Sequence, residues 1–320
     1  MSFPVFDFHC DTALTLLGKD LNSAGSLKKN EGHIDLERAS QLPGYAQCFA
    51  CFTTPYLEQW NGVSPIVAFE RELTTIQREV YNNADKITIA YSPEEIEENR
   101  EKGMMSAVLT LEGTAGIDYN PEVLEDLYDI GFRVVSLCWN EKNPLAGSHK
   151  TGGGLTDLGR VFVKEAQRVG MLIDVSHISD EGFWDIMKIT QAPIIATHSN
   201  SRNVCNNSRN LTDDMFRAIT ETGGVAGYNA CSEFTGDKPT VDTMCDHILH
   251  FMDLAPSGKH ISLGGDLDGI DLMPEGFLGV QSWPVLAQRL LQRGLNEKNV
   301  MDIYWNNALG VMKRAVRNHA

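Results

Sequence analysis

Strand-like and helix-like runs alternate along most of the 320 residues, and this alternation restricts the fold more than any other feature. Short apolar runs bounded by polar residues or glycine predict buried strands, and longer runs with helical spacing predict the helices between them. The predicted strands are residues 3–8, 46–52, 107–111, 133–138, 171–176, 193–197, 225–228 and 260–264. Alternation repeated about eight times over this length is typical of a (β/α)8 barrel. We therefore expect one α/β domain, a TIM barrel that spans residues 1–320.

A doubly wound open sheet is the alternative α/β architecture. It is disfavoured because no Gly-x-Gly-x-x-Gly segment follows the first predicted strand. The predicted helices are residues 64–84, 92–100, 121–130, 156–169, 179–190, 212–222, 241–254, 283–293 and 297–317. In a barrel, active-site groups project from the carboxyl ends of the strands, so those positions are the ones to inspect for function.

The charge balance argues against several kinds of partner. The formal net charge is −16 at pH 7, and a surface of that sign repels nucleic-acid backbones and anionic lipid. No apolar stretch approaches the roughly 20 residues of a spanning helix, and no signal peptide is visible at the N-terminus. Seven cysteines, an odd number, fall mostly in apolar runs and indicate reduced core residues. We expect a cytoplasmic protein that binds neither nucleic acid nor a membrane.

Metal-binding and titratable residues stand at the carboxyl ends of five predicted strands. Each one alone can be a turn cap or a buried structural histidine, but their shared position favours a common site, because a barrel brings these strand ends together. Imidazole and carboxylate groups that converge in this way can hold a metal ion. The residues concerned are His9, Asp11, Glu112, His177, His198 and Asp266.

Short motifs around these positions resemble the membrane (renal) dipeptidase family, which includes bacterial dipeptidases of the amidohydrolase superfamily. They occur in the order found in that family and span nearly the whole chain. The matching segments are Asp7-Phe-His-Cys-Asp11, Leu111-Glu-Gly113, Asp174-Val-Ser-His177, Thr197-His-Ser199, Ser208-Arg-Asn210 and Gly264-Gly-Asp-Leu-Asp-Gly269.

The resemblance implies two zinc ions per chain, bound by a metal-dependent hydrolase of the TIM-barrel type. His9 and Asp11 would bind one ion, His177 and His198 the other, and Glu112 would bridge both. Zinc accepts imidazole and carboxylate ligands, and a water held between two ions becomes a hydroxide nucleophile near neutral pH. Many relatives in the wider superfamily carry His-x-His on the first strand and a modified lysine as the bridge. The His-x-Asp pair and the glutamate here favour the dipeptidase branch.

Two further roles carry over by motif. Asp266 matches the residue that would move a proton from the nucleophile to the leaving amine. Asp268 is expected to point to the opposite face and to be structural. Arg209 matches the arginine that would clamp the substrate's C-terminal carboxylate through its guanidinium fork, whereas Arg202 lacks the asparagine that follows in the motif.

The chain departs from the family after the fourth predicted strand. Mammalian members carry a substrate-contacting histidine there, whereas this sequence has Trp139 followed by Asn140. An indole cannot take up a proton, although its N–H can donate a hydrogen bond. We expect Trp139, Asn140 and Tyr228 to contact the substrate, with Asn229 beside them. The glycine-rich loop that carries His149 can fold over the barrel mouth, but the sequence does not define its role.

The sequence therefore predicts a cytoplasmic zinc dipeptidase whose partner is a small dipeptide, with an L,D-dipeptide as one candidate substrate and a homodimer as the candidate assembly. Two alternatives stay open. One is another amidohydrolase-type hydrolase that acts on a lactone, a cyclic amide or an N-acyl amino acid. The other is a non-catalytic barrel that only binds metal.

Overall fold

The computed structural model describes residues 2–315, in which eight parallel strands form a closed barrel. The barrel closes through the pairing of β1 with β9 and of β2 with β4. A ninth strand, β3, pairs with the first half of β4, and β5 pairs with the second half of β4. The strands are β1 Val5–Cys10, β2 Tyr45–Phe52, β3 Ile87–Ile89, β4 Met105–Glu112, β5 Phe132–Ser136, β6 Leu172–Asp174, β7 Ile194–Ala196, β8 Val225–Tyr228 and β9 Ile261–Leu263. The expected (β/α)8 barrel is confirmed.

The helices form a layer around the barrel. Most of the longer ones begin at a serine or threonine whose hydroxyl accepts a hydrogen bond from a backbone N–H of the first turn, as at Ser92 and Thr212. No helix within residues 2–315 combines the length and apolar character needed to cross a bilayer. The α-helices are α1 Thr12–Leu17, α2 Leu36–Ala39, α3 Leu57–Asn61, α4 Pro65–Asn82, α5 Pro93–Glu101, α6 Leu124–Asp129, α7 Asp157–Val169, α8 Asp180–Ile189, α9 Asp213–Glu221, α10 Ser232–Thr235, α11 Val241–Leu254, α12 Trp283–Gln292, α13 Glu297–Met301 and α14 Asn307–Ala315.

The elements that the sequence did not predict are short. Helices α1, α3 and α10 have six, five and four residues, and β3 has three, so none is long enough to show a periodic pattern. The predicted helix 297–317 is interrupted by a π-helical turn, Asp302–Asn306, which separates α13 from α14. Residues 316 and 317 of that prediction lie outside the described part of the chain.

The barrel interior has an apolar layer. Seven of the eight barrel strands contribute to one cluster of buried side chains, which the π-helical turn and α14 complete. Burial of this apolar surface is the main source of stability for the barrel. The strand residues of the cluster are Phe6, Phe8, Ala46, Cys48, Val108, Val134, Leu172, Ile195 and Val225, and they pack with Trp305, Ala308 and Leu309.

A polar layer follows, nearer the carboxyl ends of the strands. The buried Asp174 carboxylate accepts hydrogen bonds from Ser136 Oγ (2.6 Å), Thr197 Oγ1 (2.7 Å) and the backbone N–H groups of Thr197 (2.8 Å) and Ser176 (2.9 Å). These bonds tie the ends of β5, β6 and β7 together. The packing is so close that a Cβ at Gly264 would lie 1.7 Å from the Thr197 carbonyl oxygen. The layer is therefore a rigid base for whatever lies above it.

Replacing Asp174 with asparagine should destabilise the protein. The amide has one acceptor oxygen, and its NH2 group would face donors that now have no acceptor. An unsatisfied buried polar group costs about 1–3 kcal/mol, so we expect a loss of about 2–5 kcal/mol in the free energy of unfolding. Denaturant unfolding of Asp174→Asn measures this. The matched control is Asp214→Asn, whose side chain is 81% exposed. Equal stability of the two variants would contradict the role given to the polar layer.

Candidate metal centre

The predicted metal ligands converge at the barrel mouth above the polar layer. His9 lies in β1, Asp11 follows it as the N-cap of α1, and Glu112 ends β4. His177 and His198 stand in the loops that follow β6 and β7. All five side chains are buried. The structure thus brings together the residues that the strand-end pattern had selected.

The two oxygens of Glu112 face different groups. Oε2 lies 3.4 Å from His9 Nε2, which is itself 3.4 Å from Asp11 Oδ2. Oε1 lies 2.9 Å from His177 Nε2 and 3.6 Å from His198 Nε2. One carboxylate therefore stands between a His–Asp pair and a His–His pair. This is the arrangement that a bridging ligand of two adjacent cations needs.

Hydrogen bonds fix which nitrogen each histidine presents to the site. His177 Nδ1 lies 3.0 Å from Asn140 Oδ1, an acceptor, and therefore carries the proton. His198 Nδ1 lies 2.6 Å from Thr197 Oγ1, whose own hydroxyl donates to Asp174, so this nitrogen is protonated as well. The two Nε2 atoms then face each other with lone pairs at 3.0 Å. A cation held by both would remove this repulsion.

Unsatisfied atoms on the other side of Glu112 point the same way. Among the described residues, His9 Nε2 and Asp11 Oδ1 are buried and have no hydrogen-bond partner. Buried polar groups are nearly always paired, and two unpaired atoms that both lie beside the Glu112 carboxylate leave room for a shared ligand. Imidazole nitrogens and carboxylate oxygens are the donor set that zinc and similar ions prefer. The residues therefore fit a metal centre.

Burial away from water shifts the pKa values of the titratable side chains in this site. Burial raises the pKa of Glu112 to about 7, and burial also lowers the pKa values of His177 and His198 well below their usual range. Burial alone would lower the pKa of His9 too, but the carboxylates of Glu112 and Asp11 more than offset it and hold that pKa well above its usual value. The cluster as it stands suits a positive charge.

Asp266 joins this site from the loop after β9. Its Oδ1 lies 3.9 Å from His9 Nε2, and a ligand atom of Asp266 lies within 4.8 Å of those of His9 and Asp11. Its Oδ2 accepts a hydrogen bond from Asn229 Nδ2 (2.9 Å), and burial raises its pKa. Asp266 has a φ of +57° and His177 a φ of +69°. Such left-handed backbone is costly for these residues and is typical of functional sites.

Two neighbouring residues are turned away from the site. Asp268 accepts a hydrogen bond from Thr12 Oγ1 (2.6 Å), and its N–H donates to His33 Nδ1 (2.9 Å), as expected for a structural residue. Tyr228 was expected to contact the substrate. Instead it is buried, its hydroxyl bonds to Thr235 Oγ1 (2.9 Å), and it does not line the cavity. It is Asn229, the next residue, that reaches the site.

Arg209 is buried with part of its hydrogen-bonding capacity unused. Nη1 donates to Ser199 Oγ (2.7 Å), whereas Nε and Nη2 have no partner among the described residues. Burial lowers the pKa of this guanidinium, and no carboxylate within residues 2–315 forms an ion pair with it. Arg202 differs, because it already pairs with Asp180 at 2.7 Å. Arg209 is therefore the arginine that is available to an anionic group of a ligand.

A cavity of about 780 Å³ opens above the metal ligands Asp11, Glu112 and His177, and Trp139 and Asn140 line it as expected, whereas Arg209 lies beneath its surface next to His177. Asn140 also explains the loop of His149. Its Oδ1 accepts from His149 Nε2 (2.7 Å) as well as from His177, while Ser208 Oγ lies 3.0 Å from His149 Nδ1. Burial lowers the pKa of His149 to about 3, so the ring is neutral. The sequence contains no linear signal for this bridge, because its members come from three separate loops.

Comparison with known proteins agrees with this geometry. The sequence model of the membrane dipeptidase family (peptidase family M19) matches residues 1–320. The chain belongs to the membrane dipeptidase family. The expectation of a metal-dependent dipeptidase is thereby confirmed at the level of the family, and with it the dependence on a metal.

Individual relatives match different shares of this chain. An uncharacterized dipeptidase of Schizosaccharomyces pombe is 35% identical over 216 residues, which is 65% of this chain but only 53% of that protein. An uncharacterized protein of Klebsiella pneumoniae, from the pqqA 5′ region, is 32% identical over 78% of this chain and 96% of its own length. A solved metallopeptidase from Rhodobacter sphaeroides, liganded with a phosphinate mimic of L-Ala-D-Ala, superposes with a TM-score of 0.88 at 23% identity and covers 98% of this chain and 100% of that one. This likeness confirms the fold.

Glu112→Gln should remove metal from the protein. The substitution removes the negative charge of the carboxylate. It also replaces one of the two oxygens by an NH2 group, which cannot bind a metal ion, so the side chain could no longer bridge the His9 side and the His177 side. We expect about two metal ions per native chain, and a larger loss in Glu112→Gln than in any single histidine variant. Elemental analysis of protein purified without chelator measures this.

The matched control is Glu72→Gln, because Glu72 is equally buried but its carboxylate accepts from the Phe52 N–H (2.6 Å). This variant should keep its metal. A native chain with less than one ion, and no gain when zinc is added, would contradict the assignment.

Proposed function

We propose that this chain is a two-zinc dipeptidase that hydrolyses the single peptide bond of a dipeptide. The observation that carries the proposal is the Glu112 carboxylate, with one oxygen toward His9 and the other toward His177. Two ions at these positions would share Glu112. When bound, they supply a water nucleophile at neutral pH and polarise the scissile carbonyl.

Asp266 would act as the proton carrier of the reaction. Its Oδ2 is held by Asn229, which leaves Oδ1 directed toward the metal ligands. A carboxylate fixed in this way can accept a proton from the nucleophile and deliver it to the departing amine. Asn229 sets the orientation of the carboxylate, and the strained backbone of Asp266 keeps the side chain at the edge of the cavity.

Arg209 would bind the C-terminal carboxylate of the substrate. Its unpaired Nε and Nη2 are two donors of one guanidinium fork, which matches the two oxygens of a carboxylate. A lactone or a cyclic amide without a carboxylate would leave these donors unsatisfied, so the geometry favours a dipeptide. An N-acyl amino acid keeps the carboxylate and is the second candidate, which a substrate panel distinguishes. We propose that the enzyme also accepts dipeptides whose C-terminal residue, the one released as the free amine, is a D-amino acid.

We also propose that residues 1–320 act as one catalytic barrel in the cytoplasm. The seven cysteines all lie within the described residues and are free thiols, five of them buried. This usage suits a reducing compartment, where disulfides are rare.

Asp266→Asn should keep the metal and the fold but lose most of the turnover. An amide cannot carry the proton, and general acid–base groups contribute about 10²–10⁴-fold. Steady-state kinetics with a dipeptide, together with metal content, measure this. Asp271→Asn is the matched control, because Asp271 lines the same cavity at an exposed position. If Asp268→Asn carried the loss and Asp266→Asn stayed active, the roles of the two carboxylates would be reversed.

The native enzyme should cleave a dipeptide much better than its C-terminal amide or a tripeptide. Charge-assisted hydrogen bonds are worth about 1.5–3 kcal/mol each, and about 1.4 kcal/mol is one decade, so Arg209→Ala should lower kcat/KM for the dipeptide by at least about tenfold. Arg209→Lys should recover part of the loss, since an ammonium lacks the fork.

The control for this comparison is Arg202→Ala, because the Arg202 guanidinium is already paired with Asp180. It should discriminate between dipeptide and amide as the native enzyme does. Equal discrimination by Arg209→Ala and the native protein would show that Arg209 does not read the carboxylate.

A further inference from the structure

Three aromatic side chains form one side of the cavity, and we call them the aromatic wall: Phe52, Trp60 and Trp139. The Trp139 indole makes edge contacts with Phe52 (ring centroids 5.1 Å apart) and with Trp60 (5.7 Å). All three line the cavity, and Trp60 remains 56% exposed. A large indole left open at a cavity mouth, beside other rings, is a surface that favours apolar contact.

The aromatic wall is free of charge, unlike the remainder of the cavity. Among the described residues, β2, β5 and the segments that follow them contribute four residues to the cavity lining. These are the three residues of the wall and Asn140, and none of them is charged. The charged lining residues come from other strand ends, and away from the metal centre they stand in the loops after β8 and β9. These outer charged residues are Glu233, Lys238 and Asp271. A substrate side chain that lies on the wall therefore contacts aromatic rings and no charged side chain of the wall.

The topology places Phe52 and Trp60 of the wall opposite Arg209. Around the closed barrel the strands follow the order β1, β2, β4, β5, β6, β7, β8 and β9. Arg209 follows β7, and Phe52 and Trp60 stand at the end of β2 and just after it, so four strand steps separate them in either direction. Trp139 follows β5, with its ring centroid 6.2 Å from that of His177. The proposed metal ligands lie between the two sides.

A dipeptide bound by its carboxylate at Arg209 must therefore extend across the metal centre. Each residue of an extended chain spans about 3.3–3.6 Å, so the N-terminal residue lies past the scissile bond, on the β2 side. We infer that the aromatic wall is the subsite for the N-terminal side chain and selects large apolar residues, aromatic ones above all. This inference rests on the proposed dipeptidase function.

Trp60→Ala tests the inference with little risk to the fold, because Trp60 is half-exposed on the short helix α3. The measured quantity is the ratio of kcat/KM for Phe-Ala to that for Ala-Ala. Burial of a large apolar side chain corresponds to about ten- to a hundredfold in affinity, so the native ratio should lie well above one. In Trp60→Ala the ratio should fall about tenfold.

Matched controls separate the wall from general effects. Trp184→Ala removes another partly exposed tryptophan, on α8 and outside the cavity, and should keep the native ratio. Ala-Phe against Ala-Ala reports on the C-terminal side chain, and Trp60→Ala should not change that ratio. A native enzyme that cleaves dipeptides without preferring Phe-Ala, or a preference that Trp60→Ala leaves intact, would overturn the inference alone. Failure to cleave any dipeptide would overturn the proposed function and the inference with it.

Discussion

The buried carboxylate of Asp174 is the interaction on which the upper half of this barrel depends. It receives four hydrogen bonds from the ends of β5 and β7 and from the turn after β6, in a region where each lost bond would leave a buried donor unsatisfied. Through Thr197 it also determines which nitrogen of His198 faces the cavity. One side chain thus links the packing of three adjacent strand ends to the orientation of a predicted metal ligand.

The candidate metal centre above this base holds three carboxyl groups away from water. Asp11, Glu112 and Asp266 are buried beside one another, and burial raises the pKa values of Glu112 and Asp266. Two neutral imidazoles face each other across 3.0 Å. Left-handed backbone at His177 and Asp266 adds strain. Each of these features is unfavourable by itself. A positive charge held between the side chains would stabilise the carboxylates and the facing imidazole nitrogens together.

Much of this site could be predicted from the sequence because the functional residues of a (β/α)8 barrel lie at the carboxyl ends of its strands. His9, Glu112 and His198 each end or follow an apolar run, and the fold alone implies that such positions meet. The structure confirms that convergence. The sequence between the second and third predicted strands was less informative about the fold. It contains β3, which is too short to show a periodic pattern and pairs with only half of β4.

Contacts between loops could not be predicted in the same way. Tyr228 ends β8 and was expected at the cavity, but Thr235 at the end of α10 bonds to its hydroxyl, and the side chain is buried. His149 lies in the same loop as Asn140 and bonds to it, but it also bonds to Ser208 of the loop after β7, a partner 59 residues away in sequence. Alternation of faces along a strand is fixed by the backbone, whereas the direction of a loop side chain depends on partners that are distant in sequence.

The loop after β5 shows how the family's pattern can change without loss of the site. A histidine at the position of Trp139 would combine an apolar ring with a polar tip in one residue. Here the two properties are divided between neighbours: Trp139 packs against Phe52 and Trp60, and Asn140 holds the Nδ1–H of His177. Because Asn140 also accepts from His149, its amide is fixed from two sides and cannot rotate freely. The orientation of the His177 ring is thus held by Asn140 and not by Trp139, so Trp139 can be large and apolar while His177 keeps its place.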